Sequence, residues 1–411
     1  MKFGILFPRS VEVGRNMHEA YQEWVDLGVE VERLGFWSFW TTQHHFGSER
    51  DYRPFDVPES EWTQSDFDTV PDPFPLLAYL GAKTSRLRLG TAVLVLNWDH
   101  PLYMAERIAM VDNLTNGRLE IGVSRGAGWR GPRYLGAPAE DDVARRKLAE
   151  AIEFMEKAWT GEPFSHHGEF FHMDEVIMLP KPVRERLPII IGAHTKGSAD
   201  WAARHGYPYL STVWPLNDLP AHKANIEHYR AVATECGHEV DEGTLPHNFF
   251  MYCGETDEEA VEFGRRQARR FQITLEAYYQ YAKRAREKAA GGGDGQAEAH
   301  SLFSQVVRDG AGGKGAGGKT AEDSFFGADA EVMANLDRVT DTTVESQLIG
   351  SPETIVNKIR EYQEVLGIQY FVLQTGWGGM PIEKSLASVR RFAEEVMPHF
   401  VESSSPAITA A

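Results

Sequence analysis

Two adjacent histidines follow a hydrophobic, aromatic stretch near the start of the chain. Residues 35–40 read GFWSFW, and TTQHHF follows, in which His44 and His45 are neighbours. An imidazole has a pKa near 6.5 and can therefore take up or release a proton at neutral pH. Neighbouring residues of a strand point to opposite faces, so only one of these side chains can enter a shared site if the strand continues. A histidine at a strand end can equally be structural, and this stretch alone leaves both interpretations open.

A second set of residues could bind an anion. Arg125 follows the segment RLEIGVS, and Thr195 and Ser198 stand near the start of a segment with helical spacing. A guanidinium offers two parallel N–H donors to phosphate oxygens, and a helix N-terminus also favours negative charge. Ser198 could instead be a simple helix cap. Because capping is compatible with phosphate binding, the three residues predict a site for a phosphorylated ligand.

The elements that would position these residues alternate between strand and helix. Several of the strand-like segments are apolar on both faces, as in a parallel sheet covered by helices. The predicted strands are residues 2–7, 36–43, 86–96, 118–125, 188–194, 207–214, 247–254 and 368–375. Eight strand–helix units favour an α/β fold of the closed (β/α)8 type, a TIM barrel, over an open sheet.

One segment does not fit the alternation. Residues 289–345, between the seventh and eighth predicted strands, include the Gly-rich runs AAGGGDGQ and DGAGGKGAGGKT. Such composition is typical of flexible segments. We expect a mobile insertion after the seventh strand, which could be a lid or a plain loop. The sequence thus predicts one barrel domain over residues 1–400 and a disordered tail over residues 401–411.

Composition and charge exclude several classes of function. The chain has 411 residues, with 42 Lys and Arg against 60 Asp and Glu, which gives a formal net charge of −18. This charge disfavours nucleic acid and anionic membranes as partners. The 2 cysteines exclude a disulfide scaffold. The sequence shows neither a signal peptide nor an apolar run of membrane-spanning length, so we expect a soluble, cytoplasmic protein.

Two nucleotide-binding patterns lack the context that they need. GKGAGGKT, residues 313–320, matches a P-loop, yet a polar Gly-rich stretch precedes it instead of a buried strand. GAGWRG, residues 126–131, matches a dinucleotide fingerprint, yet Pro132, Gly136 and Pro138 delay the helix that would bind a pyrophosphate. We therefore predict neither an ATP site nor a nicotinamide site.

The carboxyl ends of the strands are where barrels of this type carry their chemistry. This rule selects polar and aromatic residues from six of the predicted strands: Gln43, His44, His45, Asn97, Trp98, Asp99, His100, Ser124, Arg125, His194, Thr195, Ser198, Trp214, Gln374, Thr375 and Trp377. No spacing typical of a metal site or a serine nucleophile elbow occurs in the sequence. His166 and His167 fall in a predicted hairpin outside the barrel, where we expect a structural role. We predict no metal.

Six stretches, taken in order, resemble the bacterial luciferase-like family of flavin-dependent monooxygenases, and especially its luciferase alpha-subunit branch. They are TTQHHF, LGTAVLVLNWDHP, NGRLEIGVSRG, TKGSADWAARHG, GSPETIVNKI and EVMPHF, and together they span nearly the whole chain. Each is weak alone, whereas six in order are specific for the family, although not for one substrate.

The resemblance implies an FMN-type flavin at the carboxyl ends of the strands. It implies that His44 is the base near the flavin, and that a non-prolyl cis peptide bond lies beside the flavin ring, for which Ala92–Val93 is the matching step. The implied cofactor-binding residues are Arg125, Thr195, Ser198, Ala92, Val93, Ser124 and His194. The expected substrate pocket comprises Gln43, Trp98, Trp214 and Trp377. Trp40 would help these tryptophans to exclude water.

Two positions depart from the luciferase branch. Gln43 stands where that branch has an acidic residue, and Ser124 stands where it has a cysteine. The first difference alters the proton environment of His44, and the second removes a thiol beside the flavin. Both put light emission in doubt but leave flavin oxygen chemistry intact.

The resemblance therefore predicts a two-component FMN-dependent monooxygenase. A separate flavin reductase would supply reduced FMN, and O2 would form a flavin hydroperoxide. One oxygen atom would then enter a small apolar organic substrate, by attack on an aldehyde or ketone or by hydroxylation. A homodimer is expected, also by resemblance. Two alternatives remain open: a deazaflavin-dependent dehydrogenase that transfers hydride, and a non-catalytic flavin-binding partner subunit.

Overall fold

A closed barrel of eight parallel strands forms the centre of the protein. A computed structural model describes residues 1–7, 16–45, 70–126, 131–132, 135–193, 196–212, 219–289 and 330–400. Its strands are β1 (Lys2–Leu6), β2 (Ser38–Thr41), β3 (Arg88–Val95), β4 (Leu119–Ser124), β5 (Phe164–His167), β6 (His172–Val176), β7 (Ile189–Ala193), β8 (Tyr209–Thr212), β9 (Pro246–Cys253), β10 (Leu348–Gly350) and β11 (Tyr370–Gln374). The barrel order is β11-β1-β2-β3-β4-β7-β8-β9, and β9 closes the ring by pairing with β11. The predicted (β/α)8 fold and its eight strands are confirmed.

Helices surround the barrel. They are α1 (Met17–Arg33), α2 (Pro73–Lys83), α3 (Pro101–Leu114), α4 (Asp141–Trp159), α5 (Lys196–Arg204), α6 (Leu219–Glu235), α7 (Asp257–Ala289), α8 (Ala330–Ser346), α9 (Pro352–Leu366) and α10 (Ile382–Arg391). Proline opens α2, α3 and α9, where its missing N–H needs no partner. Gly367 ends α9 with φ 73°, a conformation that glycine adopts readily. Among the described helices, none combines the length and the apolar composition of a membrane span.

Trp40 fills the inside of the barrel. Its side chain is fully buried among Leu6, Ala92, Ile190 and Tyr370, which face inward from their strands. A Cβ atom on Gly90 would collide with the indole ring, so the neighbouring strand approaches Trp40 only because that position is glycine. Trp40 was expected to shield the mouth of the barrel, but the structure shows it as a packing residue within the barrel.

Polar side chains close the barrel at the amino ends of the strands. The Arg88 guanidinium donates to Glu120 at 3.0 Å. The Tyr370 hydroxyl lies 3.1 Å from the Glu120 carboxylate and 2.7 Å from the Ser38 hydroxyl. This layer leaves the carboxyl ends of the strands as the side from which a ligand can approach the barrel interior.

Helix α8 lies within the predicted insertion. This helix was not predicted from the sequence, because a Gly-rich run precedes it. Residues 290–329 lie outside the described residues. Val339 and Val344 of α8 pack with Phe271 of α7 in one cluster. Lys358 of α9 donates to the carbonyl oxygens of residues 344, 347 and 349 at 2.8–3.0 Å, which ties the end of α8 to the barrel. The mobility predicted for residues 289–345 stays a prediction.

Strand β10 pairs with the C-terminal part of β9. Residues 246–250 of β9 pair with β11, whereas residues 251–253 pair with β10. The three β9 residues beyond β11, Met251, Tyr252 and Cys253, are all buried.

The predicted hairpin around His166 is confirmed. Strands β5 and β6 pair in antiparallel orientation outside the barrel. Glu150 of α4 accepts the backbone N–H groups of residues 169, 170 and 171 at 2.8–3.1 Å, and the His166 ring lies 3.2 Å from the same carboxylate. These contacts give His166 a structural role.

His247 predicts a dependence of stability on pH. The ring is fully buried, and neither nitrogen has a partner among the described residues. Burial, with smaller contributions from His222 and Arg230, lowers the His247 pKa to about 3. Between pH 6.5 and 3 the unfolded chain therefore binds a proton that the folded chain does not, and stability falls as the pH falls. We expect wild type to lose about 2 kcal/mol more than His247→Leu between pH 7 and pH 5, measured by urea unfolding. Equal losses in wild type and His247→Leu would show that folded His247 takes up a proton as readily as the unfolded chain does.

Candidate active site

Gln43 joins the carboxyl ends of two neighbouring strands. It directly follows β2 and is buried, and its side-chain oxygen accepts the Val95 N–H at 2.9 Å. Its nitrogen lies 3.0 Å from the His45 ring. The His45 ring contacts the Trp98 indole edge to face, with 5.2 Å between centroids. Gln43, His45 and Trp98 therefore form one packed group, in which His45 supports the site from one side.

The backbone at His44 is fixed by a contact outside this group. Its backbone N–H donates to the Val70 carbonyl at 2.9 Å, which fixes the chain just after β2. Its side chain is half-buried, whereas Gln43 before it is buried. His44 and His45 are both half-buried, and the His45 ring packs with Gln43 and Trp98.

The peptide bond between Ala92 and Val93 is cis. The cis bond is the feature expected at this step, and it lies in β3 where the pairing with β4 shifts register between Thr91 and Leu94. Two glycines make room around it. A Cβ on Gly122 would collide with the Thr91 carbonyl oxygen, and one on Gly192 would lie 3.0 Å from a Val93 methyl group. Val93 therefore projects into the barrel between β4 and β7.

Arg125 lies directly after β4 and is held by two neighbours. Its guanidinium donates to both oxygens of Asp141 at 2.7 and 3.3 Å. The Asn97 amide donates to the Arg125 carbonyl and to the Ala144 carbonyl, both at 2.9 Å. Ser124, before Arg125, accepts the Gly126 N–H at 3.2 Å through its hydroxyl. These bonds position the guanidinium beside the first turn of α4.

Arg145 is a second cation beside Asp141, and it was not predicted from the sequence. It follows Asp141 by one helical turn, at 3.9 Å from that carboxylate. Its guanidinium also lies 3.7 Å from the Cβ position of Gly197, in the first turn of α5 next to the half-buried Ser198. The i, i+4 spacing of Asp141 and Arg145 was visible in the sequence, but the approach of α4 to α5 was not. Two guanidinium groups and a helix N-terminus therefore meet after β4 and β7.

Other predicted site residues are not part of this constellation. His194, Thr195 and Trp214 lie outside the described residues. Trp377 is fully buried in a separate cluster with Phe250, and its indole donates to the Met251 carbonyl at 3.2 Å. Trp377 thus packs beneath α7 in the structure, and its role in a substrate pocket stays a prediction.

A cavity of about 550 Å³ lies on the outside of the barrel. It is bounded by α4, the β5–β6 hairpin and the C-terminal end of α5. Its lining includes Glu150, Glu156, His166 and Trp201. The cavity is remote from the carboxyl ends of the strands, and the described residues hold no cluster of three or more metal-ligating side chains.

Comparison with known proteins identifies the family of the chain. A family model described as luciferase-like monooxygenase matches residues 1–369. The oxygenase component of a flavin-dependent trigonelline monooxygenase from Acinetobacter baylyi is 25% identical over 389 residues, which are 94% of this chain and 91% of that relative. An alkanal monooxygenase alpha chain from Photorhabdus luminescens is 28% identical over 243 residues, which are 58% of this chain and 60% of that relative.

A solved structure shows the same fold. The oxygenating constituent of 3,6-diketocamphane monooxygenase from Pseudomonas putida, in complex with FMN, superposes with a TM-score of 0.69 at 19% identity. The superposition covers 98% of this chain and 99% of that chain. With the family model matching most of its length, the chain belongs to the luciferase-like monooxygenase family and is an enzyme of that family.

Proposed function

We propose that this chain is the oxygenase component of a two-component, FMN-dependent monooxygenase. The observation that carries the proposal is the meeting of Arg125, Arg145 and the N-terminus of α5 at the carboxyl ends of β4 and β7. Such a set of donors suits a phosphate dianion. It lies next to the strand that contains the cis bond between Ala92 and Val93. The residues present therefore fit a flavin mononucleotide, whose phosphate Arg125, Arg145 and the N-terminus of α5 would hold.

Each residue has a separate task in this proposal. Arg125, Thr195 and Ser198 hold the phosphate, with Arg145 as an additional cation. Ala92 and Val93 support the flavin ring, and Ser124 and His194 are further contacts to the cofactor. When bound, reduced FMN supplies the electrons that activate O2 for insertion of one oxygen atom into the substrate.

His44 moves a proton in this proposal. An imidazole with a pKa near 6.5 can accept a proton and return it at neutral pH. Gln43 cannot ionise, so it holds the end of β3 without competing for that proton. Trp98 and Trp214 contribute apolar surface that excludes water from the reacting atoms. The substrate would be a small apolar aldehyde or ketone, or a compound that is hydroxylated.

A flavin reductase is the expected partner. The relative from Acinetobacter baylyi is named as an oxygenase component. This name supports a separate reductase component for the present chain as well. We further propose a homodimer in the cytoplasm. Light scattering of the purified protein tests the dimer, because a monomeric mass at all concentrations would contradict it.

The decisive experiment is an anaerobic titration with reduced FMN followed by rapid mixing with oxygenated buffer. Absorbance from the near-ultraviolet to the visible is recorded through the reoxidation. A transient species that precedes oxidised FMN would support the monooxygenase. Tight binding without such a species would favour a non-catalytic flavin-binding subunit. Binding of a reduced deazaflavin in place of FMN would favour a dehydrogenase that transfers hydride.

Asp141 provides a prediction about the affinity for FMN. Its carboxylate forms an ion pair with the guanidinium of Arg125 and therefore competes with a phosphate for that group. Asp141→Asn should therefore bind reduced FMN several-fold more tightly, because the repulsion is removed. Arg125→Met should bind it about 10–100-fold more weakly, because a charge-assisted hydrogen bond contributes about 1.5–3 kcal/mol. Anaerobic titration measures both, and a change of the same sign in the two variants would contradict the phosphate assignment.

A further inference from the structure

Two buried amides inside the barrel have atoms without hydrogen-bond partners. Asn248 of β9 donates to the side-chain oxygen of Gln374 of β11 at 3.1 Å. The Asn248 oxygen and the Gln374 nitrogen have no partner among the described residues. Both residues are at most 4% exposed. An unpaired buried polar atom is destabilising and occurs rarely in native proteins, so two of them side by side need an explanation.

Strand alternation places both side chains in the barrel interior. Tyr370 and Val372 face inward on β11, and Gln374 follows Val372 by two residues. Asn248 pairs in register with Val372, and its bond to Gln374 shows that the two amides share that interior. The alternate residues of β9, Phe249 and Met251, belong instead to the core outside the barrel.

The amide pair faces the proposed flavin site across the barrel. In the ring of eight strands, β9 is the fourth strand from β3 in either direction, and β11 is the fourth from β4. The phosphate donors follow β4 and β7, and Val93 fills the space beside those strands. A ligand that enters from the carboxyl ends would therefore lie between Val93 and the two amides.

The chemistry of the pair defines what it can bind. Within the part of the chain that the structure describes, one hydrogen-bond acceptor and one donor lack partners, next to each other. Rotating both amide groups by a half turn exchanges their roles but still leaves one acceptor and one donor. Their complement is a ligand edge that carries a carbonyl oxygen beside an N–H group, as in a lactam or an imide.

We propose that Asn248 and Gln374 form a binding site for such an amide-like edge on a ligand inside the barrel. This inference rests on the proposed function, because it places the ligand beside the flavin site. Two sources share this chemistry: the imide edge of the flavin itself and an organic substrate with a lactam or carboxamide group. In either case the pair positions the ligand and does not transfer a proton.

The first test separates ligand binding from structural support. The double variant Asn248→Leu/Gln374→Met removes two unpaired buried groups, so its urea midpoint should equal or exceed that of wild type. The matched control is Gln272→Met. Gln272 is buried too, but both ends of its amide are paired, with Thr340 at 2.9 Å and Thr343 at 3.0 Å. The control should unfold at lower urea, and a similar loss in the double variant would mean that the pair is structural.

The second test measures recognition in two arms. In the flavin arm, affinities for reduced FMN and reduced N3-methyl-FMN are compared, since methylation removes the N–H. In the substrate arm, FMN-loaded protein is titrated with 2-piperidone and with cyclohexanone, which has the carbonyl but no N–H. Wild type should discriminate about 10-fold in one arm, and the double variant should lose that discrimination.

The outcomes are distinguishable from failure of the proposed function. Loss of discrimination in the flavin arm assigns the pair to the cofactor, and loss in the substrate arm assigns it to a substrate. Unchanged discrimination in both arms would overturn the inference and leave the amides as the place of a buried solvent molecule. If wild type does not bind FMN at all, the proposed function fails, but 2-piperidone titrated against the protein alone still tests the pair.

Discussion

Replacing His44 with alanine is expected to slow the reoxidation step in which this residue moves a proton by about 10²–10⁴-fold. The affinity for reduced FMN should change little, because the phosphate donors lie after β4 and β7, whereas His44 follows β2. The measurement is the rate of FMN reoxidation after mixing with oxygen, recorded from about pH 6 to about pH 9. Wild type should show an ionisation near neutral pH that is absent from the variant.

His45 is the matched control for this experiment. It is also an imidazole at the end of β2, but its ring contacts Gln43 and Trp98. His45→Ala should therefore lower stability and slow reoxidation by less than about 10-fold, with the ionisation near neutral pH retained. If both variants lost the ionisation, or if His44→Ala kept it, the proton would move through another group.

Gly122→Ala is expected to destabilise the protein by about 3 kcal/mol or more. The added methyl group would collide with the Thr91 carbonyl oxygen, which belongs to the backbone of β3 and cannot rotate away. Relief of this collision requires β3 and β4 to separate next to the Ala92–Val93 step. Urea unfolding, monitored by circular dichroism, gives the free energy of unfolding.

Gly192→Ala provides a graded comparison. Its methyl group would meet the end of the Val93 side chain at 3.0 Å, and that side chain can adjust. We expect a loss of about 1 kcal/mol. Equal losses at the two glycines would indicate that the β3 backbone yields as easily as a side chain, and would contradict a fixed backbone position of β3 beside β4.

The barrel was predictable because its signals are local. Each strand is a short apolar run bounded by turn residues, and eight repeats of strand and helix leave few other topologies. The position of the cis bond at Ala92–Val93 came from resemblance to a family, since the residues themselves carry no signal for it. Helix α8 was missed because the Gly-rich run before it obscured the helical spacing that follows.

The candidate site was predictable only in part, because contacts between distant segments decide it. Arg125 follows a strand and was identified by that position. Arg145 reaches the site only because α4 packs beside α5. Trp377 also follows a strand, yet it is fully buried under α7. Position after a strand therefore shows which residues are near the carboxyl ends, but not which of them face a ligand.

Strand β10 has a consequence for the solubility of altered forms of this chain. Without β10, residues 251–253 of β9 would present the unpaired edge of an apolar strand, which is a template for aggregation. A shortened chain that lacks residues 290–329 but keeps residues 330–350 would still contain β10, which pairs with this edge. A chain that lacks all of residues 290–350 would expose this edge of β9. It should aggregate even though its eight barrel strands are complete.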